Sequence, residues 1–293
     1  MDLRQVEYVL AVAEEGGFTA GAAVLNVAQP SLSQSVRVLE AELGVELFHR
    51  VGRGVVLSEA GAAFVAAARQ VRRDVAELRD SVAAVRDVVA GELEIAALPT
   101  LAVDPLAPII GEFRRAHAGV AVRLLDPGET GPAEYVRRGA AELGAVELPV
   151  APDLVTVSLR PQQLVAICGP ADGARFGTRA RLDALAALPL VATPRGTSTR
   201  RVLDEALATA GVEGRVAVEV DQREAIVPLV LAGAGIAFVP EAQAAGATRQ
   251  GAKIVRPNPP LRRSIGLVHR QRLSPAARAF VALSQGQPKR PVM

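Results

Sequence analysis

The sequence has few of the residues that build metal sites, disulfides or membrane spans. Its 293 residues include one cysteine and three histidines, and the histidines lie far apart along the chain. Cys168 cannot form an intramolecular disulfide and is expected to be a small buried apolar residue, with redox sensing as the alternative. No apolar run reaches the roughly 18 residues of a membrane-spanning helix. We therefore expect no metal, no cofactor and no membrane partner.

Motifs for catalysis and export are missing as well. The sequence has no H-x-x-x-H, C-x-x-C, P-loop or G-x-S-x-G pattern, so we do not expect an enzyme. Glu7, Glu14 and Glu15 stand where a signal peptide has basic residues and then an apolar stretch. A cytoplasmic location is expected, which argues against an exported solute-binding protein.

The charge distribution gives no general sign of nucleic-acid binding. The formal net charge is +2. Residues 1–90 hold nine Arg against twelve Asp and Glu, a net of −3, while residues 91–293 hold 24 basic and 19 acidic residues, a net of +5. Any DNA-binding surface must therefore be argued from the placement of individual side chains.

A helix with one polar face is predicted over residues 30–43. Its apolar positions recur at spacings of four, three and four residues, at Leu32, Val36, Leu39 and Leu43. Pro30 suits a first helical turn and Gly44 suits the residue after the end. Thr19 is expected to cap a short preceding helix over residues 20–25. Two short helices joined by a tight turn form a helix-turn-helix, whose second helix enters the DNA major groove.

A two-stranded wing is predicted after this motif, with strands at Leu47-Phe48 and at residues 55–57. Small polar and basic side chains on the helix and the wing suit hydrogen bonding to base edges and phosphates. A plain amphipathic surface helix and a solvated turn are the alternatives. The residues predicted to bind DNA are Thr19, Gln29, Pro30, Ser31, Ser33, Gln34, Arg37, His49, Arg50 and Arg53.

Residues 59–90 are predicted to form a long helix that Gly91 ends and that pairs with a second copy of the chain. Apolar residues alternate at spacings of four and three over more than three heptads, which favours a two-chain coiled coil over a helix packed on its own domain. The residues assigned to dimerisation are Phe64, Val71, Val75, Leu78, Val82 and Val85.

Predicted strands and helices alternate after residue 91, which indicates an α/β domain. The segment TPRGTST, residues 193–199, leads into a predicted helix over residues 198–210. Its hydroxyls and the free N–H groups of the helix start favour an anion. Ordinary N-capping by Ser and Thr is the alternative.

Residues 1–61 resemble the winged helix-turn-helix of LysR-type transcriptional regulators. The resemblance is carried, in order, by FTAGAAVL, by AQPSLS, by L-E-x-x-L-G-x-x-L-F-x-R and by L-x-x-A-G. Length and domain order match the family too. The resemblance implies an α/β fold class with an all-α N-terminal domain: a winged helix-turn-helix at 1–58, a dimerisation linker helix at 59–90 and an effector-binding domain at 91–293.

The same resemblance implies two Rossmann-like, periplasmic-binding-protein-like subdomains, at about 91–160 with 268–293 and at about 161–267, with a small-molecule effector between them. The expected partners are double-stranded DNA, a second copy in a homodimer that pairs into a tetramer, an anionic effector, and RNA polymerase. An effector-independent regulator, whose α/β domain only mediates oligomerisation, is the alternative. The predicted effector-binding residues are Pro99, Thr100, Leu101, Glu147, Thr197, Ser198, Thr199 and Ile226.

The chain departs from the family at Ala20-Gly21, where a basic residue is common. With fewer phosphate contacts we expect a shallow salt dependence, with a slope of log K against log salt concentration no steeper than about −6. Fluorescence anisotropy of labelled DNA from upstream of the chain's own gene, between about 50 and 200 mM salt, measures this slope. A steeper slope would contradict the expectation.

Overall fold

The structure, a computed structural model, describes residues 1–51, 54–84 and 91–286. A π-type turn at Ala102–Leu106 and 3₁₀ turns at Gly128–Thr130 and Arg223–Ala225 accompany the regular elements. The helices are α1 Leu3–Glu15, α2 Phe18–Val24, α3 Gln29–Leu43, α4 Glu59–Ala84, α5 Pro99–Leu101, α6 Ala107–Ala116, α7 Pro132–Arg137, α8 Pro170–Gly173, α9 Leu182–Ala186, α10 Ser198–Ala210, α11 Ile226–Leu231, α12 Glu241–Thr248 and α13 Pro275–Gly286.

The strands form one two-stranded hairpin and the sheets of an α/β region. Within the described ranges, no helix is long and apolar enough to cross a membrane. The strands are β1 Phe48–Val51, β2 Gly54–Leu57, β3 Gly91–Ala97, β4 Val120–Leu125, β5 Leu143–Glu147, β6 Val155–Ser158, β7 Gln162–Cys168, β8 Arg179–Arg181, β9 Leu190–Ala192, β10 Val216–Glu219, β11 Ala237–Pro240, β12 Lys253–Asn258, β13 Leu261–Arg263 and β14 Ile265–His269.

Helices α1 to α3 share one apolar core at the N-terminal end of the chain. The predicted inner face of α3 is confirmed at Leu32, Val36 and Leu39, which are fully buried, but Leu43, predicted on the same face, is 39% exposed at the helix end. A capping box starts α1: the Asp2 carboxylate accepts from the Gln5 N–H at 2.8 Å, and the Gln5 side chain accepts from the Asp2 N–H at 2.9 Å. The apolar face of each helix therefore fixes the packing of the head, by which we mean residues 1–57.

The predicted helix-turn-helix is confirmed, but the predicted cap is wrong. Helix α2 begins at Phe18 behind Gly17, and Thr19 lies inside its first turn. Phe18 packs against the core, so the helix begins one residue before the predicted cap. Thr19 is exposed. Asn26 turns the chain into α3 with φ 52°, a left-handed conformation that Asn tolerates. Gly44, at φ 72°, ends α3 as predicted.

The predicted wing is confirmed as an antiparallel hairpin. Phe48 pairs with Leu57 and Val51 pairs with Gly54 across β1 and β2. The ring of Phe48 packs edge-on against Phe18, with 5.5 Å between centroids. This contact ties the hairpin to the start of α2.

The start of α4 belongs to the same core. Phe64, predicted to face a second chain, packs partly buried against the head, because the first turns of α4 close its core. Val71 and Leu78, further along, are 38% and 69% exposed. Val75 is half-buried. The side chain of Val82 and the whole of Val85 lie outside the described residues.

The middle of α4 contacts residues on either side of it in sequence. Arg72 pairs with Glu14 of α1 at 3.1 Å. Arg73 donates to the carbonyl of Gly139, and Arg270 donates to the Gln70 side chain. Burial and the neighbouring Arg270 lower the pKa of Arg73 to about 10. Helix α4 is therefore held by polar contacts as well as by its apolar stripe.

The α/β region contains mixed sheets, in agreement with the predicted alternation. Strand orders are β4-β3-β5-β14-β6, and β11-β7-β12-β8 with β13 also on β7, while β9 and β10 pair in parallel. Gly91, predicted to end the long helix, is the first residue of β3 instead.

Cys168 is fully buried in β7, and burial raises the pKa of its thiol to about 11. Such burial disfavours the thiolate that redox sensing requires.

Packing divides the chain, over its described residues, into two compact units. The first consists of Met1–Ala96, Phe113–Gly144 and His269–Leu283, and the second of Ala97–Glu112, Ala145–Val268 and Ser284–Met293. In the first, Phe113 and Phe280 pack edge-on at 5.3 Å. In the second, alternate residues of β7 face two separate apolar clusters.

Gly61 lies where α4 passes closest to the segment that leads into β1. A Cβ added there would lie 2.0 Å from the Leu47 carbonyl oxygen. The Ser58 hydroxyl donates to the Glu46 carbonyl at 2.6 Å and accepts from the Gly61 N–H at 2.9 Å, which holds the backbone in place.

We therefore expect Gly61→Ala to destabilise the protein by about 1–3 kcal/mol, although alanine favours helices. Thermal or urea unfolding measures this loss. Ala63→Gly, at an exposed position of the same helix, is the control and should cost about 1 kcal/mol. Equal or greater stability of Gly61→Ala would contradict the packing described.

Candidate functional sites

Helix α3 presents a narrow polar stripe to solvent. Ser31, Gln34 and Arg37 are exposed and lie three residues apart, so they share one side of the helix. Pro30 is exposed at the helix start and Gln29 is half-buried. The stripe offers a hydroxyl, an amide and a guanidinium, which are groups that bind base edges and phosphates.

Ser33 does not belong to this stripe, contrary to prediction. Its residue is only 7% exposed, and its hydroxyl accepts a hydrogen bond from Gln29 Nε2 at 3.0 Å. The position follows Leu32 on the inner side of the helix, where the core leaves room for a small residue. Ser33 therefore supports the fold of α3 and holds the Gln29 side chain.

The wing is described in part. The His49 side chain is 57% exposed and lies 3.7 Å from the Glu46 carboxylate. Arg50 lies in β1, but its side chain is outside the described residues, as is the whole of Arg53. The phosphate contacts assigned to these three residues stay predictions.

A second candidate site is built around a buried arginine in the second unit. Arg263, the last residue of β13, is 2% exposed. Its guanidinium donates to Ser198 Oγ and to Thr100 Oγ1, each at 2.6 Å, and to Gln162 Oε1 at 2.8 Å. The amide of Gln162 donates in turn to the Asp104 carbonyl at 2.8 Å. The network joins the segment after β3, the start of β7 and the start of α10.

Burial lowers the pKa of Arg263 to about 10, and the nearby Arg223 and Arg201 act in the same direction. The Glu147 carboxylate opposes the shift. Arg263 therefore keeps its charge at neutral pH, and this charge needs a carboxylate nearby.

Glu147, at the end of β5, supplies that carboxylate. Its side chain is 10% exposed and accepts from Arg201 at 2.8 Å and from the Ser198 hydroxyl. Ser198 thus accepts from Arg263 and donates to Glu147 at the same time. Two of the predicted effector-binding residues, Glu147 and Ser198, are brought together by the fold and bind each other.

A pocket in the second unit lies beside the network. The space in it that admits the centre of a water-sized sphere is about 20 Å³, room for about one water molecule, and about 390 Å³ is reached only when the open solvent at its mouth is included. Three predicted residues line it, namely Thr100, Thr199 and Ile226. The remaining lining residues are Val191, Ala192, Thr193, Arg200, Leu203, Arg223, Phe238, Val239, Pro240 and Gln243.

The other predicted residues lie elsewhere. Leu101 is 1% exposed and, like Pro99, does not line the pocket, so the structure does not support their predicted contacts. Thr197 donates to the Pro194 carbonyl at 2.8 Å and pairs with the Thr193 hydroxyl at 2.6 Å, both within the turn before α10. Within the described ranges, no three His, Cys, Asp or Glu side chains come together as metal ligands.

Arg223 is the pocket cation that sequence reasoning did not single out. The other lining arginine, Arg200, is 5% exposed and pairs with Asp204 at 2.9 Å and with Glu219 at 3.4 Å. The guanidinium of Arg223 has no such carboxylate partner among the described residues. Its charge is therefore available to a ligand. No local motif marks it, or the buried Arg263, because both become notable only through their surroundings.

Comparisons with known proteins give a consistent result for both sites. The family model described as bacterial regulatory helix-turn-helix protein, lysR family, matches residues 3–62, and the LysR substrate binding domain matches residues 86–288. The HTH-type transcriptional regulator TfdS of Cupriavidus pinatubonensis is 32% identical over 249 residues, covering 84% of each chain.

Solved structures agree with these matches. The crystal structure of full-length CbnR complexed with its target DNA has a TM-score of 0.71 at 28% identity, covering 97% of this chain and 99% of that one. A full-length OxyR variant from Pseudomonas aeruginosa has a TM-score of 0.80 at 22% identity, covering 97% and 94%. The latter shows the fold alone.

The exposed stripe and the buried Ser33 allow a matched test within one helix. We expect Gln34→Ala to weaken binding to DNA from upstream of the chain's own gene about tenfold, because an amide that reads a base contributes about 1–3 kcal/mol. Its melting temperature should not change. Ser33→Ala should lower the melting temperature and leave affinity within about twofold. Anisotropy titrations and thermal melts measure both, and the reverse pattern would contradict this assignment of faces.

Proposed function

The chain belongs to the LysR family of DNA-binding transcriptional regulators, and we propose that a small anionic effector bound in the pocket of the second unit controls its activity. Membership of this family makes it a regulator and not an enzyme. The observation that carries the proposal is Arg223, which has no carboxylate partner among the described residues and lines the pocket together with Arg200, Gln243, hydroxyls and apolar side chains.

We propose that the head reads DNA with the exposed stripe of α3 in the major groove and the wing on the flanking backbone. The exposure of Ser31, Gln34 and Arg37 supports this arrangement. CbnR, the similar protein solved with its target DNA, supports it as well. Because its ligand is chromosomal DNA, we place the protein in the cytoplasm.

We propose further that α4 pairs with α4 of a second copy. The exposed Val71 and Leu78 lie seven residues apart and support a seam beyond the head core, which begins after Phe64. Two heads in a dimer would contact two half-sites. Pairing of dimers into tetramers and contact with RNA polymerase extend this proposal. In this proposal each segment keeps the role predicted from the sequence. Residues 1–58 bind DNA, residues 59–90 pair with the second copy, and residues 91–293 bind the effector.

The effector itself should combine one negative group with a small apolar body. Its negative group would pair with Arg223, and the hydroxyls of Thr100 and Thr199, which also line the pocket, can donate to it. Phe238 and Ile226 supply apolar surface for the body. The effector controls DNA binding only if it binds one state of the protein more tightly than the other.

A thermal-shift screen of short aliphatic and aromatic monocarboxylates tests this proposal. At about 100 times its Kd, a ligand should raise the melting temperature of the wild-type protein by about 5 °C. Arg223→Gln should abolish the shift. Arg195→Gln, at an exposed arginine that does not line the pocket, is the matched control and should keep it.

DNA affinity without ligand should be the same in all three proteins, because neither arginine belongs to the head. If no acid of the panel shifts the wild-type protein, the second candidate is favoured. In that candidate the regulator is independent of effectors and its α/β region serves oligomerisation.

A further inference from the structure

The start of α10 is already occupied by a carboxylate of the chain itself. Glu147 reaches it from the end of β5, with its side chain 90% removed from solvent. It accepts from the hydroxyl of Ser198, the first residue of the helix, and from Arg201 in the first turn at 2.8 Å. All three residues lie in the second unit.

This is the place that chemistry favours for an anion. The first N–H groups of a helix lack carbonyl partners and carry partial positive charge. Thr197, the residue before the helix, makes no side-chain hydrogen bond to them. Arg201 adds a full positive charge. Any anionic ligand aimed at Ser198 would therefore compete with Glu147 for the same donors.

The buried network leaves Ser198 without spare hydrogen-bonding capacity for a second anion. Its single hydroxyl proton is donated to Glu147, and its oxygen accepts from Arg263 at 2.6 Å. Arg263 also donates hydrogen bonds to Thr100 and Gln162. Displacing Glu147 would also remove the carboxylate that compensates the buried guanidinium, and an uncompensated buried charge is costly.

We propose that Glu147 is a built-in carboxylate ligand that fills the anion site at Ser198 and Arg201, and so directs the acidic group of the effector to Arg223. The proposal rests on the proposed function only in its second half, the choice of Arg223. Its first half concerns the chain alone. Glu147 is thus a specificity-determining residue that excludes a second carboxylate from the start of α10.

Removal of the carboxylate should create a site for a free one. Glu147→Ala deletes CH₂–COO⁻ and leaves the donors of Ser198 and Arg201 in place, so acetate matches the missing group. We expect Glu147→Ala to melt below the wild-type protein and about 100 mM sodium acetate to raise its melting temperature by at least about 3 °C. Acetamide and sodium chloride at the same concentration should not.

Two matched variants separate this effect from a general loss of charge. Glu147→Gln keeps the volume filled and should not respond to acetate. Glu205→Ala removes a 67%-exposed carboxylate that lies 3.9 Å from Arg201 and should not respond either. The wild-type protein, whose site is filled, should show no acetate shift beyond that of chloride.

An equal acetate response in Glu147→Ala and in the wild-type protein, or no response in a folded Glu147→Ala, would overturn the proposal. Recovery of Glu147→Ala only from acetate buffer would support it. If that variant is never recovered, the wild-type titration decides: an acetate shift that Ser198→Ala abolishes overturns the proposal, and its absence supports it.

Anisotropy titrations with DNA from upstream of the chain's own gene are run on the same samples. They distinguish failure of this proposal from failure of the proposed function. Loss of acetate rescue with normal DNA binding would reject only the role of Glu147. Rescue together with a failed carboxylate screen would retain Glu147 as a built-in ligand and reject the effector at Arg223.

Discussion

The buried guanidinium of Arg263 is the constraint on which the polar network of the second unit depends. A charge that is 2% exposed must have its donors satisfied and an opposite charge nearby. Its hydrogen bonds to Thr100, Gln162 and Ser198 hold three separate segments together. Glu147 compensates it through Ser198. The pocket lies beside this network and shares Thr100 with it.

The head depends on a simpler constraint, which is that a reading helix must be rigid before its polar side can discriminate bases. Buried leucine and valine side chains of α3 fix its orientation, and the first turns of α4 complete the same core. Helix α4 also pairs through Arg72 with Glu14 of the head. Arg73 and Gln70 connect the same helix to Gly139 and Arg270. Within the first unit, helix α4 therefore contacts both the head and the residues Gly139 and Arg270.

Most elements could be predicted because their signals are local. Apolar periodicity located α3, and Gly44, in a left-handed conformation, ends that helix as predicted. Short strands such as β8 and β13 have no such signal and were missed, because they are held by pairing with neighbouring strands. Helix α12 was missed as well. The cap at Thr19 was misplaced because the packing of Phe18 outweighed the preference for a hydroxyl.

The amino-acid sequence by itself determined the family, the helix-turn-helix, the wing and the alternation of strands and helices, since each depends on spacing along the chain. It also marked Glu147 and Ser198 as site residues without showing that they bind each other. Only the tertiary structure decided that Ser33 is buried, that Phe64 closes the head core, and that Arg223 has no carboxylate partner among the described residues. Each of these facts depends on contacts between residues that are distant in sequence. Burial and charge compensation are set by those contacts, so spacing along the chain does not reveal them.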